Sequence, residues 1–313
     1  MRVVFMGFQT WGHLTLKGLL ESDHEVALVI THPESDHVYE TIWNDSVKAL
    51  AAENGIPVLE KVYANDPESV ESVRQAQADI IVSSDWRTWL GSQVLSIPRW
   101  GGINIHDALL PRYGGFAPIN WSIINSETRT GVTVHQMNDE LDLGDILLQR
   151  SVEIGPDETA TDIFHKTLPL FPGMVLETLD LIASGKATYA PQDYAQATFF
   201  HKRTERDSLI DWNRPWCDVY NLIRAQSDPY PNAFTYYEGK RLRIKRAARA
   251  DKHYGGTPGR IFCKVPQGVV VLCGRNGSAE QNQGLILVTV QEDGGESVPA
   301  TEYFRKMSTY LGS

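Results

Sequence analysis

The chain has 313 residues, of which 42% are hydrophobic and 22% are charged, an ordinary composition for a globular protein. At this length we expect two domains, because single hydrophobic cores rarely keep growing past a few hundred residues. The formal charge of −10 disfavours a large polyanion as partner, although a local basic patch can override the net value.

The cysteines and the N-terminus indicate the compartment. The three cysteines, Cys217, Cys263 and Cys273, show no C-x-x-C spacing and cannot all pair, which is typical of a reducing cytosol. The apolar run at the N-terminus is short, ends at Gly7 and lacks a signal-peptide cleavage pattern. No run approaches the length of a membrane span. We therefore expect a soluble, cytoplasmic protein.

The first half of the chain alternates apolar strands with amphipathic helices. Strands are predicted at residues 2–6, 25–31, 57–58, 78–83 and 102–106, and helices at residues 10–21, near 47–51, and at 67–77 and 117–125. This alternation favours right-handed crossovers and therefore an α/β fold with a doubly wound, mostly parallel sheet. Clean alternation at residues 130–137 predicts a strand that pairs with residues 146–152 as an antiparallel extension.

The later part of the chain has a different character. Residues 159–184 predict one long helix, opened by Thr/Asp capping and bent at Pro169 or Pro172. Short strands follow at residues 233–247, 259–264, 268–273 and 284–291, separated by turn signals that include Asn276-Gly277. We expect a catalytic domain at 1–188, a linker at 189–206 without a clear period, and a domain at 207–313 that forms a small open barrel of the OB type.

Candidate catalytic residues lie between Gly102 and Asp145. Asn104 and His106 are two residues apart at the carboxyl end of a predicted strand, so both side chains point to the same side. Open α/β sheets bind their ligands at this edge. Asp142 lies in the loop after the next strand and can return to the same crevice. An amide, an imidazole and a carboxylate suit acyl transfer, and a structural histidine is the alternative.

Three other kinds of site are disfavoured. Residues 7–12 only loosely match a dinucleotide fingerprint, because bulky Phe8 and Trp11 crowd the turn. The nine histidines show no H-x-x-x-H or H-E-x-x-H pattern, so no metal site is predicted. No G-x-S-x-G elbow is present for a serine triad.

Several motifs occur in the order seen in one enzyme family. They are N-I-H at residues 104–106, L-L-P at 109–111, A-P-I at 117–119, T-G-V-T at 130–133, L-D-L-G-D at 141–145, I-D-W at 210–212, I-R-A at 223–225, P-Y-P-N-A at 229–233 and P-G at 258–259. The chain thereby resembles the N10-formyltetrahydrofolate-dependent formyltransferase family over nearly its whole length. One departure is Asp107-Ala108, where the tRNA-formylating members usually carry Gly-Ser.

This resemblance implies a Rossmann-like catalytic domain, an OB-like C-terminal domain, and N10-formyltetrahydrofolate as cosubstrate without a metal. It also maps the catalytic roles onto Asn104, His106 and Asp142. Asn104, with His106 when protonated, would stabilise the formyl oxygen as a nitrogen attacks the formyl carbon. Alternatively, His106 would take the proton from that nitrogen. Asp142 is expected to hold the imidazole and favour its charged form.

The resemblance places the pterin against the loop at residues 139–142 and the segment after residue 83. The residues expected to contact folate are Trp86, Trp89, Leu110, Asp139, Leu141 and Asp142. For the two tryptophans, ordinary core packing is the alternative. The residues expected to bind the acceptor are Tyr113, Asp139 and Glu140.

The charge of two segments bears on the acceptor. The tRNA-formylating members carry a basic loop after the second strand, whereas residues 33–45 here read PESDHVYETIWND and would repel phosphates. The basic run at residues 240–246 alternates with Leu242 and Ile244, which is typical of a strand with a solvated face. We therefore do not expect initiator tRNA, or nucleic acid in general, as partner.

Other segments favour a small acceptor. The segments W-G-H at 11–13, T-H-P at 31–33, Y-G-G-F-A-P at 113–118, M-N-D-E-L-D at 137–142 and F-H-K-R at 200–203 resemble the branch that formylates N5-hydroxyornithine for hydroxamate siderophores. A hydroxylamine nitrogen is largely neutral near pH 7 and therefore nucleophilic. We predict this acceptor, with a nucleotide-linked amino sugar as runner-up. Methionyl-tRNA, a formyl-folate hydrolase that uses water, and a non-catalytic folate-binding module are the remaining alternatives.

Overall fold

The computed structural model describes residues 1–38, 40–275 and 282–312, so the predicted turn at Asn276-Gly277 lies outside the described residues. The chain folds into two units whose sequences interleave. The first unit comprises Met1–Pro118, Arg129–Glu153 and Phe164–His201. The second comprises Ile119–Thr128, Ile154–Ile163 and the chain from Lys202 onwards.

The elements of the first unit alternate as predicted. Its strands are β1 (Arg2–Gly7), β2 (Glu25–Thr31), β3 (Val58–Glu60), β4 (Ile80–Ser84), β5 (Gly102–His106), β6 (Gly114–Gly115), β7 (Arg129–Gln136), β8 (Ile146–Glu153) and β9 (Phe199–Phe200). The helices up to residue 183 are α1 (Gln9–Leu20), α2 (Val47–Glu53), α3 (Pro67–Ala76), α4 (Ser92–Leu95), α5 (Pro118–Ile124), α6 (Ala160–Thr167) and α7 (Leu170–Ala183). Of these, α5 and α6 run across the sequence boundaries between the units.

The main sheet of the first unit has the strand order β3-β2-β1-β4-β5-β7-β8. Strands β3, β2, β1, β4 and β5 run parallel to one another, whereas β7 runs antiparallel to β5 and β8 antiparallel to β7. The short strands β6 and β9 pair with each other separately. The predicted α/β class, with a mostly parallel sheet and an antiparallel extension, is therefore confirmed.

The central strands are apolar on both faces because helices cover both faces of the sheet. In β1, Val3 and Phe5 belong to the core beneath α1 and α7, while Val4 and Met6 belong to the core beneath α3 and α4. Successive side chains of a strand point to opposite faces, so this unbroken apolar run is the pattern expected for a buried parallel strand.

The long helix predicted at residues 159–184 is two helices, α6 and α7, separated at Leu168 and Pro169. A proline inside a helix removes one backbone donor and clashes with the carbonyl four residues earlier, which explains the break. Gly185 follows α7 with a φ of 69°, a left-handed conformation that glycine adopts without strain.

The second unit contains an antiparallel sheet. Its further elements are α8 (Trp216–Arg224), β10 (Ala233–Tyr237), β11 (Lys240–Arg249), β12 (Ile261–Val265), β13 (Gly268–Leu272), β14 (Gly284–Glu292), β15 (Ser297–Pro299) and α9 (Ala300–Tyr303). The order is β10-β11-β14-β13-β12, and β15 pairs with β14. The strand predicted at residues 233–247 is in fact the hairpin β10–β11, which turns at Glu238 and Gly239 with positive φ angles of 49° and 75°.

None of the helices in the described part of the chain combines the length and apolar character needed to cross a membrane.

Candidate active site

The predicted catalytic residues lie where the parallel strands of the first unit end. Asn104 and His106 belong to the last three residues of β5, opposite His135 and Thr133 of the antiparallel strand β7. Asp142 lies in the loop between β7 and β8. The switch from parallel to antiparallel pairing at β5 and β7 therefore brings this loop back to the edge where β5 ends.

Asn104, His135 and Asp142 form a chain of contacts. Nδ2 of Asn104 lies 3.2 Å from Nε2 of His135, and that Nε2 lies 3.6 Å from Oδ1 of Asp142. Nδ1 of His135 donates to the carbonyl oxygen of Gln136 at 2.9 Å, since a carbonyl can only accept. In the neutral ring, Nε2 of His135 is then the acceptor for the Asn104 amide, whereas in the protonated ring the same nitrogen carries a hydrogen and forms an ion pair with Asp142. His135 is buried, and it was not among the site residues predicted from the sequence.

His106 is held by a backbone carbonyl. Its Nε2 donates to the carbonyl oxygen of Tyr113 at 2.8 Å, and the residue is 9% exposed. Because Nε2 carries the hydrogen of this bond, Nδ1 is the ring nitrogen that can take up or release a proton. Asp142 interacts with His106 through charge, while its close contacts in the described structure are with Gly115 and His135.

The Asp142 carboxylate is kept ionised by its surroundings. Oδ2 accepts the backbone N–H of Gly115 at 2.8 Å, and the side chain is 11% exposed. Burial by itself would raise the pKa of this carboxyl group, but the charge of His106 and the contact with His135 lower the pKa well below its usual range. Nε2 of Gln192 donates to the carbonyl oxygens of Asp142 and Gly144, at 2.9 and 2.7 Å, and so fixes the loop.

The T-G-V-T motif positions the loop after His106. The Thr133 hydroxyl donates to the carbonyl oxygen of Ala108 at 2.6 Å and accepts the N–H of Leu110 at 3.3 Å. A Cβ at Gly131 would lie 2.2 Å from the carbonyl oxygen of Arg150, so only glycine fits there without a backbone shift. The motif therefore fixes the path of the chain directly after His106.

The two segments predicted to contact folate meet at Trp89. Its indole Nε1 lies 3.4 Å from the carbonyl oxygen of Asp139, and the Trp89 side chain is 54% exposed. Leu141, in the same loop as Asp139, is 55% exposed, whereas Leu110 is buried. Trp86 differs from Trp89, because its ring stacks on His32 with the centroids 4.0 Å apart and packs against the core.

The residues predicted to bind the acceptor lie in contrasting environments. Asp139 and Glu140 are exposed in the loop after β7. Tyr113 is buried, with its ring stacked on Phe200 at a centroid distance of 4.9 Å. Tyr113 is thus brought to His106 through its backbone carbonyl.

The acidic segment after β2 contributes to a cavity of about 200 Å³ at the end of β1. Its lining includes four carboxylate side chains, those of Glu34, Asp36, Glu40 and Asp45. Glu40 is paired with Arg87 at 3.2 Å, and Asp45 accepts a hydrogen bond from Thr10 at 2.8 Å. No lysine or arginine lines the cavity among the described residues, so its potential favours a cation.

In the second unit, the predicted basic strand is β11, and acidic residues neutralise most of its charges. The pairs at normal distances are Lys240–Glu292 at 3.1 Å, Arg243–Asp293 at 2.6 Å and Arg249–Asp157 at 3.1 Å, and the closer pairs are Arg241–Glu205 and Lys245–Asp228. A strand whose cations are already paired has little charge left with which to bind phosphates.

Across residues 1–38, 40–275 and 282–312, no group of three or more His, Cys, Asp or Glu side chains is arranged to hold a metal ion.

Family models match most of the chain. The model described as "Formyl transferase" matches residues 1–178, and "Formyl transferase, C-terminal domain" matches residues 202–308. This chain belongs to the formyl transferase family. The resemblance found from the motifs is therefore confirmed at the level of the family, and with it the expectation of an N-formyltransferase enzyme.

Among curated proteins, the chain is similar to the methionyl-tRNA formyltransferases of Geobacter sulfurreducens and Agathobacter rectalis. The first is 37% identical over 304 residues, covering 97% of this chain and 93% of the relative. The second is 33% identical over 314 residues, covering 100% and 99%.

Solved structures show the same fold at low identity. An N-formyltransferase from Helicobacter canadensis, in complex with folinic acid and dTDP-3-aminofucose, has a TM-score of 0.68 at 17% identity, covering 91% of this chain and 98% of that chain. HypX from Aquifex aeolicus in complex with tetrahydrofolic acid has a TM-score of 0.61 at 18% identity, covering 97% and 46%.

Two residues of the candidate site, His135 and Gln192, were not predicted from the sequence. The alternation of β7 places His135 on the same face as Thr133, and its pairing with Asn104 follows from the antiparallel register, so a register prediction would have found it. Gln192 lies 50 residues after the loop that it fixes, in a segment without periodicity, and no local signal reveals its role.

Proposed function

We propose that this chain transfers a formyl group from N10-formyltetrahydrofolate to a nitrogen acceptor, with Asn104, His106 and Asp142 as catalytic residues. The observation that carries the proposal is that the Asn104 amide and the His106 imidazole lie at the end of β5, with the ionised Asp142 carboxylate acting on His106 through its charge, in a member of the formyl transferase family. The solved neighbours with bound folinic acid or tetrahydrofolic acid support a folate donor.

In the proposed reaction, the acceptor nitrogen attacks the formyl carbon, and the bond from that carbon to N10 of the folate breaks. Nδ1 of His106 takes the proton of the attacking nitrogen and returns a proton to N10, so that tetrahydrofolate leaves. The Asn104 amide donates to the formyl oxygen while it carries negative charge, a contribution of about 3 kcal/mol for one such donor. Asp142 stabilises the imidazolium.

For the acceptor, we propose a small cationic molecule, of which N5-hydroxyornithine is the one suggested by the sequence motifs. The carboxylate-lined cavity at the end of β1 supports this choice, because it favours an ammonium group and repels phosphates. The paired charges of β11 also argue against a polyanion.

Methionyl-tRNA is the second candidate, and the names of the curated relatives favour it over hydroxyornithine. The similarity to those relatives extends over 97% of the chain, at 37% identity in the first case. This similarity supports methionyl-tRNA, although the sequence motifs favour a small acceptor, so the two acceptors need a direct comparison.

The comparison is an acceptor screen. The purified chain and N10-formyltetrahydrofolate are incubated with N5-hydroxyornithine, with methionyl-tRNA, with a dTDP-linked amino sugar, or without acceptor, and formylated products are detected by mass spectrometry. We expect formyl-hydroxyornithine as the main product. Formylation of methionyl-tRNA alone would establish the second candidate, and tetrahydrofolate release without an acceptor would indicate a hydrolase.

A substitution in the cavity tests its role, with a matched control outside the cavity. Asp36→Asn should raise the KM for a cationic acceptor about 3-fold to 10-fold, since it removes one unit of attractive charge near a partly exposed site. Glu53→Gln removes an equal charge from an exposed position of α2 outside the cavity lining and should leave the KM unchanged. Equal effects of both variants would contradict the proposed role of the cavity.

The catalytic assignment predicts the outcome of His106→Asn. This variant lacks the proton acceptor and should lose at least about 100-fold in kcat, while its affinity for folate, measured by calorimetry with folinic acid, stays within a factor of a few. Wild-type turnover by this variant would refute the role of His106.

The proposal extends to the folate-binding residues and to the fold of the second unit. We propose that Trp89, Asp139 and Leu141 form the folate-binding wall, because Trp89 and the loop are in contact and both expose apolar surface. Trp86 is a weaker candidate for that wall, because one of its faces is covered by His32. The antiparallel sheet of the second unit is proposed to be an OB-like barrel.

A further inference from the structure

A second carboxyl group lies directly after His106 in the chain. Asp107 is 8% exposed, and the indole N–H of Trp11 in α1 donates to its Oδ2. Its other oxygen, Oδ1, is buried and has no hydrogen-bond partner among the described residues. Burying a carboxyl group without full hydrogen bonding is costly, so this residue calls for an explanation beyond packing.

The groups around Asp107 come from α1, α6, the end of β5 and the loop after β4. Burial raises the pKa of its carboxyl group to about 7, while the Trp11 hydrogen bond, the charge of His106 and the Thr167 hydroxyl oppose the rise, and Asp85 adds to it. α1 and α6 contribute Trp11 and Thr167, which do not titrate in this range. The ionisable groups that act on Asp107 are therefore His106, its neighbour in the chain, and Asp85, from the loop after β4.

We infer that Asp107 is a positioning residue for formyl transfer, which acts by stabilising the positive charge that His106 acquires during the reaction. This inference rests on the proposed role of His106. When Nδ1 of His106 takes the proton of the attacking nitrogen, the resulting imidazolium lies within electrostatic reach of two carboxyl groups, those of Asp107 and Asp142. Asp107 exchanges no atom with the substrates. Only its ionised form stabilises the imidazolium, so the benefit depends on pH.

The test is a comparison of pH profiles between the wild type and Asp107→Asn, using the acceptor that the screen identifies. Asparagine keeps the size of the side chain and an oxygen that accepts the Trp11 hydrogen bond, but it carries no charge. At pH 8.5 the variant should lose about 10-fold in kcat, with both KM values within about 2-fold of the wild type. At pH 6, where Asp107 of the wild type is itself protonated, the two kcat values should agree within about 2-fold. A purely structural role would lower kcat by the same factor at every pH.

A second variant tests the same idea without removing the carboxyl group. Trp11→Phe keeps an aromatic ring against Phe164, whose centroid lies 5.0 Å away, but removes the N–H that favours the ionised form of Asp107. The pH at which kcat begins to fall should then move upward relative to the wild type. If the thermal unfolding curve of Asp107→Asn shows that this variant does not fold, Trp11→Phe alone tests the inference.

The outcomes separate the inference from the proposed function. If His106→Asn is inactive while the Asp107→Asn and wild-type profiles stay parallel, or coincide at all pH values, the inference on Asp107 is wrong and the proposed function stands. If His106→Asn remains active, the proposed function itself fails. An unchanged profile in Trp11→Phe also counts against the inference.

Discussion

His32 and Trp86 show at the scale of single residues how burial decides the state of an ionisable group. The His32 ring stacks on Trp86, its Nδ1 donates to the carbonyl oxygen of Lys61 at 2.9 Å, and its Nε2 accepts the N–H of Arg87 at 3.1 Å. Burial lowers the pKa of His32 to about 4, although the Lys61 carbonyl opposes this shift. The ring is therefore neutral in the folded protein and able to accept from Arg87.

This environment makes the folding stability depend on pH. The pKa of His32 is near 6.5 in the unfolded chain and about 4 in the folded one, so the unfolded state binds the proton more tightly. The contribution of His32 is fully present above pH 6.5 and is lost as the pH falls toward 4. Between pH 7.5 and 5.0 the loss amounts to about 2 kcal/mol.

Urea unfolding of the wild type and His32→Asn at both pH values measures this contribution. The difference in the free energy of unfolding between the two proteins should shrink by about 2 kcal/mol at pH 5.0, because only the wild type loses the His32 contribution. Replacement of the exposed His253 by asparagine is the control and should show no such change. A difference that is constant with pH would contradict the prediction.

The residues of the candidate active site differ in how far they could be predicted from the sequence. Asn104, His106 and Asp142 were predicted because the N-x-H pattern, the strand end and the family motifs agreed. The contacts of these residues were not predicted. The Asp142 carboxylate contacts His135, and the His106 ring donates to the backbone carbonyl of Tyr113. Which atoms touch depends on the register of β5 and β7 and on the path of two loops, which residue types alone do not encode.

At the scale of elements, the close approach of α1 to the end of β1 depends on Gly12. A Cβ at this position would lie 2.9 Å from the carbonyl carbon of Gly7 and 3.1 Å from Cγ2 of Val47. Gly173 in α7 is the matched contrast, since a Cβ there would meet no described atom within 4 Å. Glycine thus allows close packing in α1, whereas in α7 it only lowers the stability of the helix.

This contrast predicts opposite effects of alanine. Gly12→Ala should lower the free energy of unfolding by about 1 to 3 kcal/mol, because backbone must shift to make room. Gly173→Ala should raise it by about 0.5 to 1 kcal/mol, because alanine restricts the unfolded chain and favours the helix. Urea unfolding of both variants measures the effects. Destabilisation by both substitutions would show that space around Gly12 is not the cause.

The elements themselves were well predicted where periodicity and flanking residues agreed, as in β1, α1, β2 and β4. The two main corrections concern breaks within elements. Residues 159–184 form two helices separated at Leu168 and Pro169, and residues 233–247 turn at Glu238 and Gly239. In the first stretch the apolar spacing of a helix continues across the break, so periodicity alone gives no sign of it. The second break lies in the polar run Glu238-Gly239-Lys240-Arg241, where Gly239 is a turn signal that interrupts the alternation.

At the scale of the whole molecule, the second unit includes segments from the first half of the chain. Nδ2 of Asn120 donates to the carbonyl oxygen of Ala225 at 2.6 Å, and the hydroxyl of Tyr220 donates to Asp157 at 2.9 Å. The buried guanidinium of Arg224 donates to the carbonyl oxygen of Glu158 at 2.6 Å. These partners come from outside the domain boundary proposed from the sequence, at residue 207.

A fragment of residues 207–313 should therefore be less stable than the same residues in the full chain. Removal of residues 119–128 and 154–163 leaves Arg224 without two of its carbonyl acceptors, those of Gly155 and Glu158, and a buried unpaired charge is costly. We expect amide hydrogen exchange of β10, β11 and β14 to be at least about 10-fold faster in the fragment. Equal exchange rates would show instead that residues 207–313 form a self-sufficient domain.

The sequence by itself determined the α/β class, the alternation of strands and helices that gives a mostly parallel sheet, the family, and the identity of the candidate catalytic residues. These properties depend on local periodicity and on motifs, which are written in consecutive residues. Only the tertiary structure decided that Asp142 contacts His135 and that the buried Asp107 accepts a hydrogen bond from Trp11. It also decided that four carboxylates line a cavity at the end of β1. Those contacts join residues that lie far apart in the chain, and their free energies depend on burial and on neighbouring charges that exist only after folding.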